Sequence, residues 1–183
     1  MYKRKVVAIS GSTRQNSINH SLIKAIVELS SASLDITVFD RIGNLPQFNP
    51  DYDGDIVTKE VSNFRQQLNN AEGVIICTPE YAHGVPGTLK NAIDWTISSS
   101  SFPQKPTMLI TASTGGHYGH KALMETLKAI EAKNIDNLQL VIPFVKTKLN
   151  MDNKIIDDKT LVDVKKLIAD FIETLNNRQA DWG

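Results

Sequence analysis

Gly73-Val74-Ile75-Ile76-Cys77-Thr78-Pro79-Glu80-Tyr81 is the stretch on which the fold turns. Val74 to Cys77 is unbroken apolar sequence, the composition of a strand covered on both faces of a parallel sheet. Thr78-Pro79-Glu80-Tyr81 then ends the strand. Gly84, Pro86 and Gly87 punctuate the return, and Leu89, Ile93 and Trp95 supply the buried face of a helix, with Pro86 in its first turn. A strand that leaves through a Pro- and Gly-marked loop into a helix is the place where open α/β sheets hold ligands. On its own the loop is equally a turn that merely ends a strand.

Working outward, the same alternation fills the chain. Lys5 to Ser10 reads as a buried strand, followed by Ile18, Leu22, Ile23, Ile26 and Leu29 at helical spacing. Leu34 to Asp40 alternates apolar and polar, as an edge strand does. Residues 43–54 carry Gly, Pro, Asn and Asp and form a loop. A helix is expected from about Ile56 to Asn70, a strand over Thr107 to Ala112, and a helix striped by Leu123, Leu127 and Ile130. A strand over Leu138 to Phe144 follows. The last helix carries Leu161, Val164, Ile168, Phe171, Ile172 and Leu175, with Asp157 or Asp158 as its N-cap. The polar tail from Asn176 is expected to fray, and Trp182 within it is a surface aromatic or a subunit contact.

Five strands separated by helices predict a three-layer α/β fold with one parallel sheet and right-handed crossovers. Four apolar strands and one alternating strand favour the order 2-1-3-4-5, the flavodoxin-like arrangement, in one domain spanning residues 1–183.

Composition narrows the function classes. Of 183 residues, 41% are hydrophobic and 22% charged, with 20 basic and 20 acidic side chains giving zero formal charge. No basic run offers the footprint of a nucleic-acid binder. No stretch approaches the ~20 apolar residues of a membrane span, and Val6 to Ile9 after Lys3-Arg4-Lys5 is too short for a secretory h-region. Cys77 is the single cysteine and reads as a core residue. A cytoplasmic protein is the expectation.

The expected order places three loops side by side. The first, Ser10 to Asn19, enters a helix N-terminus, where free N–H groups and the dipole favour an anion. Ser12, Thr13, Ser17 and Asn19 add neutral donors, and Arg14 adds a planar cation suited to phosphate. The loop matches neither GxGxxG nor GxxxxGK[ST], so a terminal monophosphate is expected rather than a triphosphate. A Ser-rich helix cap without a ligand is the alternative. The second loop is Thr78 to Gly84. The third, Ser113-Thr114-Gly115-Gly116-His117-Tyr118-Gly119-His120, permits close backbone approach. His117 and His120 lack the companion ligands of a zinc site, so no metal is expected. His20 and His83 read as surface or satisfied polar residues.

Together the loops resemble the NADPH-dependent FMN reductase family, a flavodoxin-like family with quinone, azo-dye and chromate reductases. Gly11-Ser12-Thr13-Arg14-Gln15-Asn16-Ser17-Ile18-Asn19 is similar to its G-S-x-R-x-x-S-x-N motif. Thr78 to Tyr81 and Pro86 to Trp95 are similar to its T-P-E-Y and P-G-x-L-K-N-A-I-D-W motifs. Leu45 to Asn49 resembles its loop after strand two. The resemblance implies that FMN binds here, with Gly11, Ser12, Arg14, Ser17 and Asn19 around the phosphate. It places Pro79, Glu80 and Tyr81 on the ring, and Ser113, Gly115 and Gly116 along the ring or ribityl chain. It implies hydride transfer from NADPH or NADH through FMN to a small-molecule acceptor: a quinone, an azo compound, a free flavin or a metal oxyanion. FMN carries the chemistry, so no catalytic side chain is expected. A homodimer or homotetramer is implied. Ala82 and His120 depart from the Asn and Gly that many members carry. The alternatives are a flavodoxin-type electron carrier, which zero net charge disfavours, and an FMN-binding or flavin-free module without its own substrate.

Overall fold

In a computed structural model, which describes residues 2–54 and 57–177, the apolar runs form a five-stranded sheet. The strands are β1 (Arg4–Ser10), β2 (Leu34–Phe39), β3 (Gly73–Thr78), β4 (Thr107–Ala112) and β5 (Gln139–Ile142). All pairings are parallel and the order is β2-β1-β3-β4-β5, as expected. The helices are α1 (Ile18–Ser30), α2 (Lys59–Asn70), α3 (Gly87–Asp94), α4 (His117–Ala129) and α5 (Asp158–Asn177).

The period of two along each strand builds two cores. Val6 and Ala8 of β1, Ile75 and Cys77 of β3, and Met108 and Ile110 of β4 pack with α1 and α5. Val7 and Ile9, Val74 and Ile76, and Leu109 face the other way, toward α2, α3 and α4. Because β1, β3 and β4 are covered on both faces, both alternations are apolar and the sequence reads as unbroken runs. Burial pushes the Cys77 thiol far above its ordinary range, so it is a packing residue and not a nucleophile.

Several boundaries differ from the sequence reading. α2 starts at Lys59 because the Thr58 hydroxyl accepts the Val61 N–H at 3.4 Å, and Ile56 lies outside the described residues. Pro86 is the residue before α3 rather than part of its first turn. β5 is shorter than Leu138 to Phe144. It is the second edge of the sheet, with Gln139 exposed and Leu140 and Val141 only partly covered. It ends at Pro143, which has no N–H to donate. α4 stops at Ala129, leaving Ile130 as its cap. Asp157 caps α5, accepting the Thr160 N–H at 2.9 Å. α5 continues through Asn177 instead of fraying at Asn176, whose side chain accepts from Arg4 Nε at 3.1 Å. Trp182 lies outside the described residues.

The N-A-I-D-W segment does its work in the scaffold. Asn91 donates to the Pro46 carbonyl at 2.9 Å and accepts the Phe48 N–H at 2.7 Å. Trp95, 1% exposed, donates its indole N–H to the same carbonyl at 2.8 Å and meets the Phe48 ring edge-on. Arg65 ties the Trp95 carbonyl to Asp53 and Ser98. The long loop after β2 is therefore fastened to α3 at several points. Its Gly43 comes close to Thr13 of the first loop.

Candidate functional site

The carboxyl ends of the strands open onto a cavity of about 630 Å³, lined by four chain segments. The first is the loop after β1 with the first turn of α1. Gly11 donates its N–H to the Cys77 carbonyl at 2.8 Å, which carries the β1–β3 ladder one residue beyond the strand. A β-carbon at Gly11 would lie 2.2 Å from Thr78 Oγ1, so only glycine lets the two loops come together. Ser12 Oγ accepts the Arg14 N–H at 3.4 Å, and Ser17 Oγ caps α1 by accepting the Asn19 N–H at 3.2 Å. Each hydroxyl acts as acceptor in these contacts and keeps its own proton to donate. Arg14 is exposed, and among the described residues no carboxylate lies within ion-pair distance of it. His20 Nδ1 donates to the Arg14 carbonyl at 3.2 Å, which steadies the loop.

Asn19 is the most telling member. It is 1% exposed and lines the cavity. Its amide nitrogen donates to the Ala112 carbonyl at 3.3 Å, which orients the side chain, and its Oδ1 is buried with no partner. An orphaned acceptor of this kind is costly, and a donor group on a ligand would satisfy it.

The second segment is Pro79, Glu80 and Tyr81. Tyr81 and Gly84 exchange N–H···O bonds of 3.1 and 2.8 Å, closing a two-residue turn whose central residues, Ala82 (φ 47°) and His83 (φ 58°), are both left-handed. That is the type I′ geometry, which prefers Asn and Gly. Ala82, which carries a β-carbon, is therefore held in a backbone conformation that Asn or Gly would adopt at lower cost. Tyr81 is 52% exposed, and His83 stacks on Tyr118 with ring centroids 4.5 Å apart.

Glu80 makes no ion pair among the described residues. Its carboxylate accepts the N–H groups of Gly116 (3.3 Å) and Gly119 (2.5 Å), so it caps α4, which has no capping side chain of its own. An anion at a helix N-terminus is favoured by the free N–H groups and the dipole. The cap locks the second loop to the third. Gly119 allows it, since a β-carbon there would sit 2.9 Å from the Gly84 carbonyl oxygen.

The third segment contributes Ala112, Ser113 and Thr114. Gly116 takes φ 116°, a conformation other residues rarely adopt, and Gly115 lies near Glu80. Gly11, Gly115 and Gly116 are absent from the cavity lining; they shape the loops that carry it. His120 is not a ligand group. Its Nε2 donates to Gln139 Oε1 at 2.6 Å and its Nδ1 accepts from Thr111 Oγ1 at 2.8 Å, so both nitrogens are taken. Burial holds its pKa below the ordinary 6.5. No group of three His, Cys, Asp or Glu side chains among the described residues is arranged to hold a metal.

The fourth segment, Phe144 to Thr147, was not anticipated. Phe144 sits at φ 51°, ψ 35°. The turn is docked on the third loop through Phe144 N–H to Thr114 O and Val145 N–H to Ser113 O, both 3.3 Å. The expected strand ran through Pro143 to Phe144, and nothing local indicated that these residues would instead turn onto the cavity beside α1.

Of the expected contact residues, the structure brings Ser12, Arg14, Ser17, Asn19, Pro79, Glu80, Tyr81 and Ser113 onto one cavity. The set offers hydroxyl donors and a cation beside a helix N-terminus, an orphan acceptor, and a rigid Pro-Glu-Tyr wall. It suits a ligand with an anionic end, hydroxyl donors and a flat apolar body.

Comparison with known proteins agrees with that geometry. The 2-hydroxy-1,4-benzoquinone reductase of Burkholderia sp. is 38% identical over 115 residues, which span 61% of each chain and so less than two thirds of that relative. The quinone reductase of Escherichia coli strain K12 is 29% identical over 170 residues, 87% of this chain and 88% of the relative. The structure of FerB, a flavoenzyme NAD(P)H:(acceptor) oxidoreductase from Paracoccus denitrificans, shares the fold with a TM-score of 0.79. It is 24% identical, covering 95% of this chain and 98% of that one. Residues 4–147, from β1 through the unanticipated turn, match the sequence profile of the NADPH-dependent FMN reductases. The chain therefore belongs to the NADPH-dependent FMN reductase family and is an oxidoreductase that uses FMN and NAD(P)H.

Proposed function

We propose that the chain passes hydride from NADPH or NADH, through FMN held in the cavity, to a quinone-type acceptor. The observation that carries this reading is the cavity itself, in which the phosphate-type loop, the buried orphan acceptor and the Pro-Glu-Tyr wall meet. FMN fits the donor set. Ser12, Arg14, Ser17 and the α1 N-terminus would hold its phosphate. Asn19 is better matched to a ribityl hydroxyl than to the phosphate, because its free atom is an acceptor. Pro79, Glu80, Tyr81 and Ser113 would bound the ring, with the Glu80 side chain committed to α4. Gly11, Gly115 and Gly116 act through loop shape.

Bound FMN would supply the hydride-transfer chemistry between nicotinamide and acceptor, so the protein's part would be binding, orientation and exclusion of water. The quinone preference follows the relatives' names; azo compounds, free flavins and metal oxyanions are the other members of the acceptor class. We further propose a single domain over residues 1–183, a cytoplasmic location and a homodimer or homotetramer. No helix of the described residues is long and apolar enough to cross a membrane. Exposed Tyr81, Tyr118 and Phe144 supply apolar surface for a second copy to cover.

The test is an acceptor panel on FMN-reconstituted protein with each nicotinamide. Steady NAD(P)H oxidation dependent on a quinone is expected. FMN-loaded protein that oxidises neither nicotinamide with any acceptor, yet exchanges electrons with a redox protein, would establish the carrier reading instead.

A further inference from the structure

The turn after β5 places a second cation on the cavity. Lys146 lines it together with Arg14, and among the described residues the only carboxylate in the lining is that of Glu80. The Glu80 carboxylate is already engaged by the Gly116 and Gly119 N–H groups at the N-terminus of α4. The backbone of the turn that bears Lys146 is anchored on both sides. Val145 is 2% exposed in the core, two backbone bonds fix the turn to the third loop, and Thr147 Oγ1 closes it by donating to the Phe144 carbonyl at 3.0 Å. A non-glycine residue held in the left-handed region, as Phe144 is, marks a site where local strain is maintained by its surroundings.

Lys146 has no counterion, whereas Lys148, two residues on, meets Asp157 at 4.0 Å; what sets Lys146 apart from the other unpaired lysines is its place in the cavity lining. Among the described residues none pairs with Lys146 or with Arg14. Two cations without counterions that line one cavity match a dianion, and a phosphate monoester carries close to two negative charges near neutral pH. The orphan Asn19 Oδ1 in the same cavity independently calls for a ligand with hydroxyl donors.

We propose that Lys146 is the second cation of the phosphate site and shares the FMN phosphate with Arg14. This rests on the FMN reading above. The fourth segment is then a phosphate-binding element as well as a wall, and flavin affinity depends on the turn after β5 as well as on the loop after β1.

The test compares FMN with riboflavin, which lacks the phosphate, by quenching of flavin fluorescence on the apoprotein. K146Q should weaken FMN about tenfold and leave riboflavin affinity unchanged, while K146R retains most of the FMN affinity. The salt dependence of FMN binding should be shallower in K146Q than in wild type. R14A should show the same FMN-specific loss. K146Q that binds FMN as tightly as wild type overturns the proposal while leaving the FMN reading intact. Equal losses for FMN and riboflavin overturn it too, since they show a packing role. Wild-type protein that binds no FMN overturns both.

Discussion

At the scale of single residues, Ala82 shows how a departure from a family pattern is decided by backbone geometry. Its φ of 47° lies where an L-residue with a β-carbon is disfavoured by about 1–2 kcal/mol and where Asn is better tolerated. A82N should stabilise the protein by about 1 kcal/mol and raise Tm by about 2–4 °C, with flavin affinity nearly unchanged. A thermal melt of apo and FMN-loaded protein checks both halves. A loss of stability would mean that the turn is held by contacts of Ala82 rather than by its conformation. Asn19 teaches a related lesson. Its place in the motif was legible, but its chemistry depended on which of its two amide atoms the protein itself had engaged.

At the scale of elements, the site is held by ties between loops. Glu80 joins the loop after β3 to the N-terminus of α4 across 36 and 39 residues of sequence. E80Q keeps the size but loses the charge, and it points an amide donor at one of two N–H donors. It should cost about 1–2 kcal/mol in urea denaturation, the range of a lost helix cap. FMN affinity should fall with it, because the loops that face the cavity are no longer joined. Unchanged stability would show that solvent caps α4 equally well. Asn91 and Trp95 do the same for the long loop after β2. Much of the most specific sequence motif is therefore devoted to fastening that loop and not to touching a ligand.

At the scale of the whole molecule, pH acts through the buried His120, which is 6% exposed and bridges β4 to β5 in one tautomer. Burial lowers its pKa below 6.5 in the folded state. As pH falls below about 6.5, the unfolded chain takes up a proton that the folded chain resists, so stability falls with it. The loss should continue until pH passes the lowered folded value. Wild-type Tm should therefore drop between about pH 7.5 and 5.5, and drop less in H120N, which cannot titrate. Identical pH slopes in the two proteins would remove His120 as a cause.

The sequence by itself determined the sheet order and the identity of the first three loops. Strands buried on both faces must be apolar throughout, edge strands need not be, and a βα loop is marked by local Gly, Pro and Ser chemistry. β5 was over-extended because an apolar run does not reveal where edge pairing stops. Tertiary structure alone decided that Glu80 caps a helix, that Gly11, Gly115 and Gly116 shape the site from outside its lining, and that Phe144 to Thr147 form its fourth wall. Those outcomes depend on contacts between segments tens of residues apart, set by the packing of whole elements, and no local pattern in the chain encodes them.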